Sequence, residues 1–244
     1  MTIWQHPQGF PTLKNSQVHL WRANLALSTP EIEKLSASLS ADEMVRANRF
    51  RFVHHRHRFI AARGILRQLL GNYLKVNPCS LTFTYSDRGK PRLATDSALQ
   101  FNISHSEAYA LLGFTLDHLI GVDLEYQKPM TDAVKIAQRF FSPREFKILK
   151  ATPPKEQAQL FFRFWTAKEA YLKAIGTGLS GSLAEVEVVI DESQPRYLLS
   201  LSAAHPEDTP WSLYPCSPET NYLGAIAINS DIQPQQISYW HWSA

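Results

Sequence analysis

Cysteines and long apolar runs are both scarce in this sequence. Only two of the 244 residues are cysteines, Cys79 and Cys216, and they stand far apart and outside any metal-ligand pattern. This usage indicates a reducing compartment and no disulfide framework. No apolar run approaches the roughly 20 residues needed to cross a bilayer. The start, MTIWQHPQGFP, lacks the features of a signal peptide. We therefore expect a soluble cytoplasmic protein with no membrane partner.

Several familiar catalytic motifs are also absent. The chain contains no G-x-S-x-G nucleophile elbow, no P-loop, no G-x-G-x-x-G and no H-E-x-x-H. These absences argue against an α/β-hydrolase, a P-loop nucleotidase, a dinucleotide-binding enzyme and a zinc protease.

Acidic residues are missing between Arg46 and Arg67, a segment that contains seven arginines and three histidines. The formal net charge of +3 favours anionic partners without identifying one. The basic segment is either a solvated face or a nucleic-acid patch, but the second usually also requires exposed aromatics or a known motif. Phe50, Phe52 and Phe59 have the spacing of core residues, so we expect no nucleic-acid partner.

The order of predicted elements indicates an α+β fold of two lobes, 1–122 and 123–244. Apolar residues make up 44% of the chain, enough for a sizeable core. Capping signals and apolar spacing predict helices over 30–39, with Thr29 as the N-cap, and from a capping box of Ser40 and Glu43, with breaks, to Leu74. Further helices are predicted over 131–141, over 143–151 with Pro143 at the start, and over 155–175 with Gly176 at the end. Alternating stretches predict strands at 16–27, 81–85, 100–104, 108–115, 119–125, 184–190, 196–202, 211–216, 222–228 and 236–242.

Asp123 and Glu125 form a candidate metal site in the predicted strand LIGVDLE. Residues two apart on a strand point to the same face, so Val122 and Leu124 would point into the core. Two carboxylates on one face suit a hard cation such as Mg²⁺. The alternative is an ordinary exposed strand face.

Glu169 and Lys173 lie four residues apart in the predicted helix FWTAKEAYLKAIG. This spacing places them on one helix face. They are either part of a catalytic element or a stabilising surface ion pair.

Two short segments are candidate phosphate contacts. The turn Gly89-Lys90-Pro91 offers backbone N–H groups and an ammonium, and Ser104-His105 follows the strand FNIS. A histidine near its usual pKa can donate to a phosphate. The alternatives are a plain turn and a surface histidine.

Taken together, these segments resemble the surfactin-type 4′-phosphopantetheinyl transferases. The order and spacing of GKP at 89–91, FNISHS at 101–106, GVDLE at 121–125 and FWTAKEAYLKAIGTGLS at 164–180 are similar to those of that family. RFFSPREF at 139–146 is similar to the family's segment between the two main motifs. The matches span residues 40–185.

The resemblance implies a monomer of two similar lobes related by a pseudo-twofold, with coenzyme A and Mg²⁺, or Mn²⁺ in its place, in the cleft between them. It implies transfer of the 4′-phosphopantetheine group of coenzyme A to a serine of an apo acyl or peptidyl carrier protein, with release of 3′,5′-ADP. Such carriers serve fatty-acid, polyketide or nonribosomal peptide synthesis. The alternatives are a non-catalytic coenzyme A or carrier-binding module and another Mg²⁺-dependent phosphotransfer enzyme.

The resemblance also implies roles for individual residues. On this resemblance the metal ligands are Asp123, Glu125 and Glu169, and Lys173 lies near the reacting phosphate. Ser104 and His105 contact phosphates of the coenzyme, and Arg58 and Arg46 lie near its 3′-phosphate. The turn that borders the nucleotide is Gly89, Lys90 and Pro91. Glu43 stands where some relatives carry a lysine. Glu169 and Glu145 are both candidates for the base that deprotonates the carrier serine. We expect the carrier to meet residues 131–150, which include Arg139, Arg144 and Lys147.

Overall fold

The computed structural model describes residues 3–177, 183–201 and 210–244. Within these ranges the chain forms six α-helices and eleven β-strands, which confirms the α+β prediction. Residues 178–180 of the predicted long motif, and position 202 of a predicted strand, lie outside the described residues.

The helices and strands follow the predicted order. The helices are α1 Thr29–Ser36, α2 Ala41–Ala47, α3 Val53–Leu74, α4 Ala133–Phe140, α5 Pro143–Ala151 and α6 Pro154–Ile175. The strands are β1 Val18–Asn24, β2 Phe83–Tyr85, β3 Pro91–Leu93, β4 Leu99–Ser106, β5 Tyr109–Leu116, β6 Ile120–Tyr126, β7 Val186–Val189, β8 Leu198–Leu201, β9 Ser212–Cys216, β10 Tyr222–Ile228 and β11 Ile237–His241. The short strand β3 is the one element in this series that was not expected from the sequence.

Local capping sets the helix ends. The predicted capping box of Ser40 and Glu43 opens α2, and Gly176, at φ 81°, ends α6 in the left-handed conformation that glycine adopts without strain. The helix α1 has a similar box with Ser28 as its N-cap, so the prediction that Thr29 caps this helix was wrong by one residue.

Two sheets organise the molecule. The first has the strand order β11-β1-β5-β4 and the second has the order β6-β10-β9. The last strand, β11, returns to pair in parallel with β1, for example Val18 with Ile237. The strand β6 crosses position 122 and pairs with β10 along its whole length. The proposed division of the chain at 122 stays a prediction.

Three apolar clusters separate the layers. One lies between α1, α3 and the first sheet, a second between the two sheets, and a third between the second sheet and helices α4–α6. Val122 and Leu124 of β6 belong to the cluster between the sheets. Because side chains alternate along a strand, Asp123 is directed away from this cluster, toward α6.

The helix α6 packs unusually close to β6. A Cβ on Gly121 would lie 2.0 Å from the carbonyl oxygen of Ala170 and 2.4 Å from the nitrogen of Ala174. Only glycine allows this approach. It brings the last turns of α6 against the strand that carries Asp123.

The helices and the two cysteines relate to the membrane and disulfide expectations from the sequence. No helix in the described ranges is both long enough and apolar enough to cross a bilayer. Both cysteines are free, Cys79 on the surface and Cys216 buried.

Candidate active site

The edge strands of the two sheets, β4 and β6, meet at the site. Ser104 Oγ donates to Asp123 Oδ1 over 3.0 Å, and Ser106 Oγ donates to Glu125 Oε2 over 3.0 Å. The two serines are two residues apart, as are the two carboxylates, so each pair lies on one side of its strand. The serines of β4 therefore orient both carboxylates of β6.

The helix α6 adds an acid and a cation to this edge. Lys173 Nζ lies 2.5 Å from Asp123 Oδ1 and donates to Ser104 Oγ over 2.9 Å. Glu169, one turn earlier, is buried. Burial, and next the charge of Asp123, raise the pKa of Glu169 to about 7, while Lys173 opposes the shift. The helical spacing noted in the sequence thus directs both side chains at β6.

The three carboxylates have the donor chemistry of a hard-cation site. Asp123 Oδ2 and Glu169 Oε1 are buried and have no hydrogen-bond partner among the described residues. Burial and the nearby Asp123 also raise the pKa of Glu125. Mutual repulsion and unpartnered buried oxygens are both relieved by a divalent cation, so the donor set fits Mg²⁺.

The arrangement is not a preformed metal cage. Across the described ranges, no three His, Cys, Asp or Glu side chains are grouped as a metal site. The ammonium of Lys173 takes Asp123 Oδ1. A cation that used this oxygen would therefore require Lys173 to move aside.

Cations gather beside the acidic edge. His105 follows Ser104 on β4 and projects to the opposite side of the strand. The His105 side chain is exposed, yet the protein atoms packed nearby, followed by the positive charges of Lys173, Arg58 and Arg46, lower its pKa. These three cations are therefore near enough to act on the charge of the histidine. Such a group of cations is suited to a phosphate.

The turn Gly89-Lys90-Pro91 borders a cavity of about 300 Å³ that Glu169 and Lys173 also line. The ammonium of Lys90 has a structural role here, because it donates to the carbonyl oxygens of Ala174 over 2.8 Å and Ile120 over 3.2 Å. Burial lowers the pKa of Lys90 to about 8.

A second cavity also borders this turn, at Gly89. It measures about 570 Å³ and is lined by Gly89, Arg46 and Arg49, among others. Gly89 lines both cavities. The cavity lined by Glu169 and Lys173 and the cavity lined by Arg46 of α2 and by Arg49 just after it therefore share one residue of this turn.

Comparison with known proteins identifies the family of this chain. Two family models match the chain, one described as the 4′-phosphopantetheinyl transferase superfamily over residues 119–227 and one as 4′-phosphopantetheinyl transferase, N-terminal, over residues 23–115. The 4′-phosphopantetheinyl transferase HetI of Nostoc sp. is 43% identical over 235 residues, which are 95% of this chain and 94% of that protein. The chain belongs to the 4′-phosphopantetheinyl transferase superfamily.

Other relatives of this transferase are more distant. A putative 4′-phosphopantetheinyl transferase of Synechocystis sp. is 39% identical over 69% of this chain and 68% of its own length. The Sfp transferase of Bacillus subtilis is 28% identical over 74% of this chain and 89% of its own length. Among solved structures, a holo-(acyl-carrier-protein) synthase from Bacillus anthracis in complex with CoA (3′,5′-ADP) matches with a TM-score of 0.38 and 23% identity, over 45% of this chain and 92% of that chain.

Glu145 does not join the site in this transferase, contrary to the expectation that it is a candidate base. Its side chain is fully buried and pairs with Lys168 Nζ over 2.7 Å. It also accepts from the backbone nitrogens of Ser142 over 2.8 Å and Val188 over 2.7 Å. A carboxylate with these three donors is held away from solvent and from a substrate hydroxyl.

The basic segment is not one solvated face. Arg63 and Arg67 are buried and pair with the two carboxylate oxygens of Glu43, at 2.8 and 2.6 Å. Glu43 therefore has a structural role at the start of α2, where it also accepts from Ser40 N over 3.0 Å. The sequence predicted only one part of this role, since it marked Glu43 as the acid of a capping box but did not indicate its ion pairs with Arg63 and Arg67.

Two residues at the site were not expected from the sequence. Ser106 binds Glu125, and Glu107 lies 3.0 Å from Arg58. The signal for Ser106 was present, since Asn102, Ser104 and Ser106 lie two residues apart along β4 and so share one side of the strand. Nothing local signals Glu107, because its partner lies 49 residues earlier in the chain.

Proposed function

We propose that this transferase moves the 4′-phosphopantetheine group of coenzyme A onto a serine hydroxyl of an apo acyl or peptidyl carrier protein and releases 3′,5′-ADP. Family membership supports the reaction class. The observation that carries the residue roles is the meeting of Asp123, Glu125 and Glu169 with Lys173 at one edge, beside the cations around His105.

In this reaction, the serine oxygen forms a bond to the phosphorus that bears pantetheine, and the bond from that phosphorus to the oxygen of 3′,5′-ADP breaks. The serine loses its proton to a base, and the leaving phosphate takes up negative charge. We assign the base to Glu169, because its Oε1 is buried and has no partner in the described part of the chain. The oxygens of Glu145 are already occupied.

Asp123, Glu125 and Glu169 are the proposed ligands of Mg²⁺, with Mn²⁺ as a substitute. The ion would neutralise charge on the diphosphate as 3′,5′-ADP departs. Lys173 is already beside Asp123, on the side of α6 that lines the smaller cavity. Its ammonium is placed to donate to a phosphoryl oxygen and to stabilise the charge that develops there.

The remaining contacts to coenzyme A follow from the cations and the turn. Arg46, Arg58 and His105 would hold the 3′-phosphate, and Ser104 a diphosphate oxygen. Gly89, Lys90 and Pro91 would border the nucleotide, with the Lys90 ammonium held by the carbonyl oxygens of Ala174 in α6 and Ile120 in β6.

We propose that the carrier docks on α4 and α5. Carrier proteins are typically acidic, and this surface exposes Arg139 and Lys147 beside Ile148, which is 44% exposed. Arg144 is partly committed to Glu187 at 3.4 Å. We further propose a cytoplasmic monomer that serves carriers of fatty-acid, polyketide or nonribosomal peptide synthesis.

A carrier-labelling assay tests this function. A panel of apo carriers is incubated with coenzyme A, with and without Mg²⁺, and each product is weighed by mass spectrometry. A gain of about 340 Da, the size of the transferred arm, is expected only with both coenzyme A and Mg²⁺. Coenzyme A binding without any mass gain would instead support a binding module.

The variant Glu169→Gln tests the residue assignment. It keeps the size of the side chain and removes its charge, so transfer should fall by about a hundredfold or more while the melting temperature is retained. The matched control is Glu156→Gln, which changes an exposed acid on the same helix. Near-normal turnover of Glu169→Gln at ordinary Mg²⁺ would remove Glu169 from its assigned roles.

A further inference from the structure

Glu107 occupies an unusual backbone position. Pairing of β4 with β5 extends to Ser106 and Tyr109, which leaves Glu107 and Ala108 as a two-residue turn. Glu107 has a φ of 47°, in the left-handed region where such turns ordinarily carry glycine. A glutamate retained in a strained conformation suggests a role for its side chain.

The turn itself is held by residues in or next to both sheets. The backbone oxygen of Ala108 accepts from Leu25 N over 2.7 Å, and the nitrogen of Ala108 donates to the hydroxyl of Tyr222 over 3.1 Å. Leu25 follows β1, whereas Tyr222 begins β10. These contacts fix the position from which the Glu107 side chain extends.

The carboxylate of Glu107 is directed at the cations of the site. Its Oε2 lies 3.0 Å from Arg58 Nη1. Arg58 is one of the three cations that act on His105. His105 itself lies two residues before Glu107 in the chain. Glu107 thus places a negative charge next to a group that would bind an anion.

A contribution to folding stability does not explain the ion pair between Arg58 and Glu107. The Arg58 and Glu107 side chains are 27% and 58% exposed, so water screens their attraction and the pair contributes little to folding. A phosphate at the same guanidinium would feel repulsion from the carboxylate and would compete with it for the Arg58 N–H groups.

We propose that Glu107 competes with the 3′-phosphate of coenzyme A for Arg58, and so weakens the binding of both coenzyme A and 3′,5′-ADP. The inference rests on the proposed function, since it takes coenzyme A as the substrate. Because substrate and product carry the same 3′-phosphate, Glu107 limits retention of the product as well as affinity for the substrate.

Calorimetric binding of three ligands tests the proposal. Coenzyme A and 3′,5′-ADP carry the 3′-phosphate, whereas dephospho-coenzyme A lacks it. For Glu107→Gln, which keeps the side-chain size, the dissociation constants of the first two ligands should fall about three- to tenfold. The constant for dephospho-coenzyme A should be unchanged. Glu107→Asn, which tolerates positive φ, should behave in the same way.

Asp117→Asn is the matched control. Asp117 is also an exposed acid at positive φ, 60°, in the turn after β5, at the opposite end of that strand from Glu107. This substitution should leave all three constants unchanged. In the Arg58→Ala background, Glu107→Gln should lose its effect, because the two side chains act on one another.

Three outcomes would overturn the proposal. They are weaker binding of coenzyme A by Glu107→Gln, equal tightening of dephospho-coenzyme A, and a full effect in the absence of Arg58. None of these three binding measurements requires turnover. They can therefore be told apart from a failure of the proposed function, which would appear as a wild-type protein that does not label any carrier.

Discussion

Lys168 and Glu145 form an ion pair of 2.7 Å from which water is excluded, since their side chains are 0% and 1% exposed. Lys168 Nζ also donates to the carbonyl oxygens of Leu183, over 2.7 Å, and Val186. Desolvation lowers the pKa of Lys168, and the charge of Glu145 opposes that shift. The pair ties α5, α6 and β7 together directly beside Glu169.

Removing one partner of this pair should destabilise the fold. Lys168→Met leaves the Glu145 carboxylate buried without its cation, and we expect a loss of about 3–5 kcal/mol in the free energy of unfolding. Glu145→Gln in the same protein should restore part of the loss, because the amide oxygen still serves the α5 capping box and no buried charge remains. Urea unfolding of the two single variants and the double variant measures the coupling. Strictly additive effects would show that the pair is not coupled.

Gly121→Ala should loosen the site. The added Cβ would lie 2.0 Å from backbone of α6, which cannot yield as a flexible side chain can. We expect about 1–3 kcal/mol of lost stability from overpacking, together with reduced transfer, since α6 carries Glu169 and Lys173. Thermal unfolding and carrier labelling measure the two effects. A variant with wild-type stability and turnover would show that the close approach of α6 to β6 is not required.

His19 should make the fold sensitive to acid. It is buried, and its Nδ1 lies 2.8 Å from the hydroxyl of Tyr73, which also accepts from Trp21 Nε1 over 2.8 Å. Burial lowers the pKa of His19 from 6.5 to about 4, so the unfolded chain binds more protons between these values. Stability from the neutral ring is therefore present above about pH 6.5 and is lost as the pH falls toward 4, by about 3 kcal/mol in total.

Urea unfolding of wild type and His19→Gln across this pH range measures the effect. The difference in unfolding free energy between the two proteins should change with pH between about 6.5 and 4 and level off outside that window. A constant difference would mean that His19 does not titrate differently on folding.

Lys173→Met separates two effects of one side chain. It removes the ammonium from Asp123 Oδ1, so binding of Mg²⁺ to the free protein should become several-fold tighter. Transfer should nevertheless fall by about a hundredfold, because the charge near the phosphoryl group is lost. Calorimetry with Mg²⁺ and the labelling assay measure both quantities. Lys155→Met, at an exposed lysine near the start of the same helix, is the control. Unchanged transfer by Lys173→Met would contradict the role of Lys173.

Local features of the sequence determined much of the secondary structure. Ser40 with Glu43, Pro143 and Gly176 mark helix ends, and the structure has them there, because caps are satisfied within a few residues. The alternation in β6 also predicted correctly that Val122 and Leu124 enter the core. A period of two is a property of the strand itself.

Contacts between distant residues were decided only by the tertiary structure. The sequence marked Glu43 as a capping-box acid and Glu145 as a candidate base, but it did not show that both are buried with cations from other helices. The parallel pairing of β11 with β1 and the contact of Glu107 with Arg58 are equally non-local. Spacing along the chain predicts which face a side chain occupies, but the partner it meets depends on how the layers pack.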